Sequence, residues 1–181
     1  MRLKLILTTT ILSGLFGHSY ACKCNGPATV KESFKSSEVI VYGTVISADT
    51  VLLSETVKEK DAKEVKARLK SDKQKLRHFE RTYVLKIELE TIEKYKGDNL
   101  RKRVVIYTPL LGASCGYRFE QGKEYIVYGS KNNFLDFLFK KERKNKRYEK
   151  DNAFWTSHCT RTAEYIKSEA DELKLLRSKR D

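Results

Sequence analysis

This 181-residue sequence is short of the residues on which most catalytic chemistry rests, with three histidines and four cysteines. His78 lies in a charge-dense stretch and reads as a solvated side chain. His158 stands beside Cys159 as a surface or packing residue, and a lone histidine makes no triad. Asp and Glu are plentiful, yet none falls in a catalytic motif. A P-loop, a dinucleotide fingerprint and internal repeats are all missing. No apolar run approaches the ~20 residues that a membrane-spanning helix requires. The sequence therefore reads as a non-enzyme with no cofactor of its own and no transmembrane segment.

What is present begins at the N-terminus. Arg2 and Lys4 precede the apolar run Leu5 to Phe16, and Ser19-Tyr20-Ala21 places small residues at −3 and −1 of a cleavage site. This is the layout of a secretory signal peptide over residues 1–21. Cleavage after Ala21 makes Cys22 the first residue of a 160-residue mature domain (22–181), enough for one core. Lipidation of Cys22 is the rival processing, but it favours a Leu-like residue where Ser19 stands. The expected location is extracellular, with a periplasmic or lipid-anchored envelope form left open.

Of 37 Lys and Arg, Arg2 and Lys4 leave with the signal, so 35 face 24 acidic residues, a net +11. Such a balance suits an anionic matrix or envelope. An exported protein rarely meets nucleic acid, which removes that partner. The cysteines are Cys22, Cys24, Cys115 and Cys159, an even count that argues for two disulfides in an exported chain. Cysteines one residue apart do not easily bridge each other. Each of Cys22 and Cys24 should therefore pair with one of the distant two. Zinc ligation by the four, with His158, is the weaker alternative, because paired C-x2-C hooks are missing.

Five segments read as strands: Glu38 to Ile46, Thr82 to Lys94, Arg103 to Thr108, Glu124 to Gly129 and Phe134 to Phe139. Gly43 marks a bulge or bend in the first. In the second, Tyr83, Leu85, Ile87 and Leu89 share a face. Short strands punctuated by turns indicate a small barrel or sandwich, with Tyr117, Tyr125 and Trp155 as core aromatics. Residues 54–80 form a charged insertion with few large apolar side chains, expected to add little to a core. From Thr160, the spacing of Ala163, Ile166, Ala170, Leu173 and Leu176 predicts an amphipathic C-terminal helix.

"CKC" at the mature start, "EKYKGD" after a long strand, "SCGYRFEQGKEYIVYG" and "WTSHCTRT" together resemble the netrin-like module. They are most similar to the inhibitory domain of the tissue inhibitors of metalloproteinases. The resemblance spans Cys22 to the tail helix, residues 54–80 apart. It implies a mainly β, OB-type five-stranded barrel with a C-terminal helix, the disulfides Cys22–Cys115 and Cys24–Cys159, and a monomer. The chain lacks the further disulfide and the second cysteine-rich domain of the animal inhibitors, so it corresponds to the inhibitory module alone.

The resemblance also implies a function, inhibition of a zinc metalloprotease through Cys22, Lys23, Cys24, Ser114 and Cys115. A freed Cys22 carries an α-amine of pKa about 7.7–8.0 beside its own carbonyl oxygen. Together these atoms make a five-membered chelate, able to displace the water on the open position of the protease's catalytic zinc. That zinc belongs to the partner, and Cys22 is the only residue expected to touch metal. Lys23 corresponds to the side chain that enters the protease's primary specificity pocket, where a small polar residue is usual. The other expected role is a non-inhibitory binding module that holds an anionic surface or protein.

Overall fold

The computed structural model describes residues 24, 28–111, 115–131, 138 and 152–179. The expected signal peptide, Cys22, Lys23 and Ser114 lie outside the described residues. The first element among the described residues is helix α1 (Val30–Ser36), started by Thr29, whose hydroxyl accepts from the Glu32 N–H while the Glu32 carboxylate accepts from the Thr29 N–H. This reciprocal cap satisfies two helix-end donors and holds the Glu32 carboxyl below its ordinary range.

Two 14-residue strands follow, β1 (Val39–Leu52) and β2 (Tyr83–Lys96), paired antiparallel. The segment between them holds a 3-10 turn (Leu53–Thr56), α2 (Glu59–Leu69) and α3 (Lys73–Arg81). Next come β3 (Arg103–Pro109), β4 (Glu124–Gly129), β5 (Ala153–Trp155), β6 (Ala163–Glu164) and α4 (Lys167–Ser178). The six strands form one sheet in the order β5-β3-β2-β1-β4-β6. All neighbours are antiparallel except β3 and β5, which run parallel.

The sheet is a half-barrel. Its curl starts in β1, whose pairing with β2 shifts register at Ile40/Val41, Tyr42/Gly43 and Val45/Ser47. Each shift adds bend and twist. Gly43 sits at the middle one, where a Cβ would lie 2.2 Å from the Glu90 carbonyl oxygen, so only glycine lets the strands approach this closely. The curl brings the end of β4 onto β5. Ser130 and Trp155 exchange backbone hydrogen bonds, 3.0 Å and 2.7 Å, across an isolated antiparallel bridge.

Strand alternation sorts side chains to two covered faces. On the concave face Val39, Val41, Ile87, Leu89, Val104, Ile106, Tyr125, Val127 and Phe154 form the central core. On the convex face Ile40, Ile126 and Tyr128 meet Val30 and Phe34 of α1 and Ala170 and Leu173 of α4. At the other end, Val84, Tyr107 and Trp155 meet Leu53, Val57, Val65, Leu69 and Phe79.

That last cluster corrects the expectation for residues 54–80. Val65, Leu69 and Phe79 are fully buried or nearly so, so the insertion contributes to a core that it shares with the sheet. Its apolar residues are few, but helical spacing puts Val65 with Leu69, and Leu76 with Phe79, on one side of each helix. His78 is half-buried rather than solvated and shares a 3.0 Å hydrogen bond with the Thr82 hydroxyl. Burial depresses its pKa.

Three smaller expectations change. In β2 Ile87 and Leu89 face the core as expected, but Tyr83 is exposed and Val84 is buried in its place. Of the strand expected over 134–139, only Leu138 is among the described residues, and it is helical and buried. Finally, the tail helix begins at Lys167, because Ala163 and Glu164 pair with β4 and add a sixth strand.

Candidate functional site

Three cysteines gather at one end of the half-barrel. The first loop to that end leaves β3 at Pro109 and passes Leu110 and Leu111, both exposed. It returns through Cys115, which takes a left-handed φ of 59°. Gly116 is buried against the strand end, where a Cβ would stand 2.0 Å from the Pro109 carbonyl oxygen. The next N–H, of Tyr117, donates to the Thr108 hydroxyl at 2.9 Å. The Tyr117 ring packs edge-on against Phe119 and Tyr125, and burial pushes its phenol up to about 12. In "CGY" the cysteine takes a left-handed backbone conformation, the glycine permits a close backbone approach and the tyrosine supplies an aromatic anchor.

The second loop follows β5 and reads Thr156-Ser157-His158-Cys159-Thr160-Arg161-Thr162. Its threonine hydroxyls form a knot: Thr156 Oγ1 lies 2.9 Å from Thr160 Oγ1 and 2.7 Å from Thr162 Oγ1. Thr156 donates to the Tyr128 carbonyl at 2.8 Å, and the Tyr128 N–H donates to Thr162 Oγ1 at 3.0 Å. Thr156 and Thr162 are buried, so these bonds satisfy groups that would otherwise be costly inside the protein.

The two loops are joined, since the His158 N–H donates to the Cys115 carbonyl at 2.8 Å. Beside it Cys159 is bonded to Cys24, with an S–S distance of 2.07 Å. That disulfide is one of the two pairings the resemblance implies, and it removes zinc ligation for this pair. None of the described cysteines is a free thiol. The partner expected for Cys115, Cys22, lies outside the described residues, as do Lys23 and Ser114. His158 and Cys159 are exposed at the rim. Between α1 and this loop is a cavity of about 510 Å3, lined among others by Cys24, Ser33, Ser36, Ser130, His158 and Arg161.

Among the described residues no cluster of three His, Cys, Asp or Glu is placed to hold a metal ion. No described helix is long and apolar enough to cross a membrane. Sequence reasoning missed Arg161, Glu169 and the threonine knot. Alternating threonines around Cys159 were the available signal for the knot. Glu169 had none, because its burial depends on how α4 packs.

No protein-family model matches the chain, and no curated protein matches it.

Proposed function

We propose that this chain is an exported protein inhibitor of a zinc metalloprotease, built as the single inhibitory module of the tissue inhibitors of metalloproteinases. The observation that carries the reading is the Cys24–Cys159 disulfide. It fastens the segment two residues after Cys22 to a loop already hydrogen-bonded to Cys115. A terminus that acts as a wedge must be ordered before it binds, because ordering a loose one would consume the binding energy.

In this reading Cys22 pairs with Cys115. The Cys22 amine and carbonyl oxygen chelate the protease's zinc and displace its water. Lys23 projects into the specificity pocket and selects proteases with an acidic partner there, since a buried ammonium without one is costly. Ser114 and Cys115 line the other side of the wedge, with exposed Leu110 and Leu111 adding apolar contact area. The OB-type barrel belongs to the same reading. It is supported by the order β5-β3-β2-β1-β4, the parallel β3–β5 pair and the Ser130–Trp155 bridge between the sheet's ends. The test is an alanine added before Cys22, which turns the amine into an amide nitrogen without a usable lone pair. The extended protein is expected to fold and not inhibit. Equal inhibition by both forms rejects chelation.

A specific observation favours a second reading, adhesion to an anionic matrix. Lys73, Arg77 and Arg81 stand at i, i+4 and i+8 on α3, all exposed and without an ion-pair partner among the described residues. Such a row repeats about every 6 Å along one rigid helix face.

A further inference from the structure

Arg161 lies two residues beyond Cys159 and reaches two separate parts of the fold. Its Nε and Nη2 both donate to Glu169 Oε2 of α4, at 3.0 Å and 2.8 Å. Its Nη1 donates to the carbonyl oxygen of Ala28 at 2.8 Å. The other carboxylate oxygen of Glu169 accepts from the Tyr128 hydroxyl at 2.7 Å. Tyr128 is fully buried and Glu169 is 7% exposed, so this is a charged group held deep in the convex face.

Such a group is retained only with its partners in place, since removing one leaves an uncompensated charge. Both Glu169 oxygens are engaged and the guanidinium spreads its donors over two elements, so the geometry of Arg161 is over-determined. That rigidity is transmitted to Ala28. The backbone at Ala28 runs on one side into the Thr29 cap of α1 and on the other toward Cys24. A disulfide alone leaves rotation about its own side-chain bonds. A second attachment four residues away restricts the direction of the chain as well.

We infer that Arg161 is a positioning residue for the N-terminal segment. With the Cys24–Cys159 bond, its contact to Ala28 gives the chain ahead of α1 a second attachment to the loop after β5. The inference rests on the inhibitor reading for its consequence, but the ordering itself has an independent readout. In Arg161→Lys an ammonium still neutralises Glu169, whereas the planar fork that bonds Glu169 and Ala28 together is lost.

The experiment compares the mature wild type, Arg161→Lys and the pair Arg161→Met with Glu169→Leu, which removes both buried charges together. Three quantities are read: melting temperature, amide hydrogen exchange over residues 22–34, and inhibition of a panel of zinc metalloproteases. Both variants are expected to melt cooperatively with α4 still protected. Exchange ahead of α1 should rise at least tenfold, and inhibition should weaken by tenfold or more, chiefly through faster dissociation. If Arg161→Lys does not fold, the double variant carries the same comparison. Unchanged exchange ahead of α1 in a folded variant overturns the inference. Faster exchange with no inhibition even by wild type leaves the clamp standing and rejects the inhibitor reading instead.

Discussion

The backbone N–H of His158 donates to the carbonyl oxygen of Cys115 at 2.8 Å, joining the loop after β3 to the loop after β5. Neither loop is a regular element, yet both are held by buried hydroxyls. Thr108 receives the Tyr117 N–H, and Thr156 and Thr162 bind the backbone of Tyr128. The end of the half-barrel that carries the cysteines is therefore ordered by hydrogen bonds as well as by the disulfide.

Thr162→Val tests that order. The substitution keeps the shape but strips acceptors from the Tyr128 N–H and from the neighbouring hydroxyls. A buried donor left without its partner costs about 1–3 kcal/mol. The denaturant midpoint should fall accordingly with an unchanged m-value. A change below about 0.5 kcal/mol would show that the knot contributes little.

Gly116→Ala should be worse, although it adds a single methyl group. The new Cβ would meet the Pro109 and Leu110 carbonyl oxygens at 2.0 Å and 2.6 Å, and backbone atoms cannot swing aside as a side chain can. Overpacking of this kind costs about 1–3 kcal/mol, and the upper end applies here. Non-reduced peptide mapping on the same variant should show more mispaired Cys115, because the backbone next to it is displaced.

Phe79→Ala tests whether the insertion is part of the fold. Phe79 is fully buried among Leu53, Val65, Leu69 and Trp155, and truncating such a phenylalanine costs about 3–5 kcal/mol. A loss under about 1 kcal/mol, measured by thermal or denaturant unfolding, would mean the two helices are an appendage.

The insertion also shows where the sequence was hard to read. In β1 to β4 β-branched and aromatic residues are dense, and the expected strands match those observed to within a few residues at most ends, β1 alone running on to Leu52. Val65, Leu69 and Phe79 are instead scattered among lysines and glutamates, and average hydropathy hides a narrow apolar face. Trp155 was recognisable as core and Phe154 was not, because a three-residue strand is too short for any period to show. Ala163 illustrates the opposite failure. Its spacing to Ile166 and Ala170 fits a helix, while the edge of β4 offered backbone partners that helical spacing does not reveal. At the site, "CGY" and "WTSHCTRT" located the cysteine edge, whereas Glu169 became visible only once α4 was packed over Tyr128.

Acid should weaken the protein through His78. Its pKa is depressed by burial, so the folded state favours the neutral ring. Stability is then fully present above the unfolded value of about 6.5 and is lost as pH falls toward the folded pKa. His78→Gln, which cannot charge, should flatten that part of the stability curve below about pH 6.5. An identical slope in both proteins would assign the acid loss to carboxylates.

In the proposed inhibitor reading, inhibition should carry a different pH signature, one that separates chelation by the Cys22 amine from every other contact. Only the neutral amine offers a lone pair to zinc, so affinity should fall as pH drops through about 7.7–8.0, approaching tenfold per pH unit well below that range. His78 acts on stability at lower pH, so the two effects occupy separate windows. Lys23→Thr should leave this profile unchanged while widening the set of proteases inhibited, because it removes the cost of placing an ammonium in an apolar pocket. The measurement is the inhibition constant from pH 6 to 9 for wild type and Lys23→Thr, against a protease whose own activity is corrected at each pH. A flat profile in both would mean the α-amine does not bind the metal. A profile that moves with Lys23→Thr would assign the titration to the lysine or to its acidic partner in the pocket.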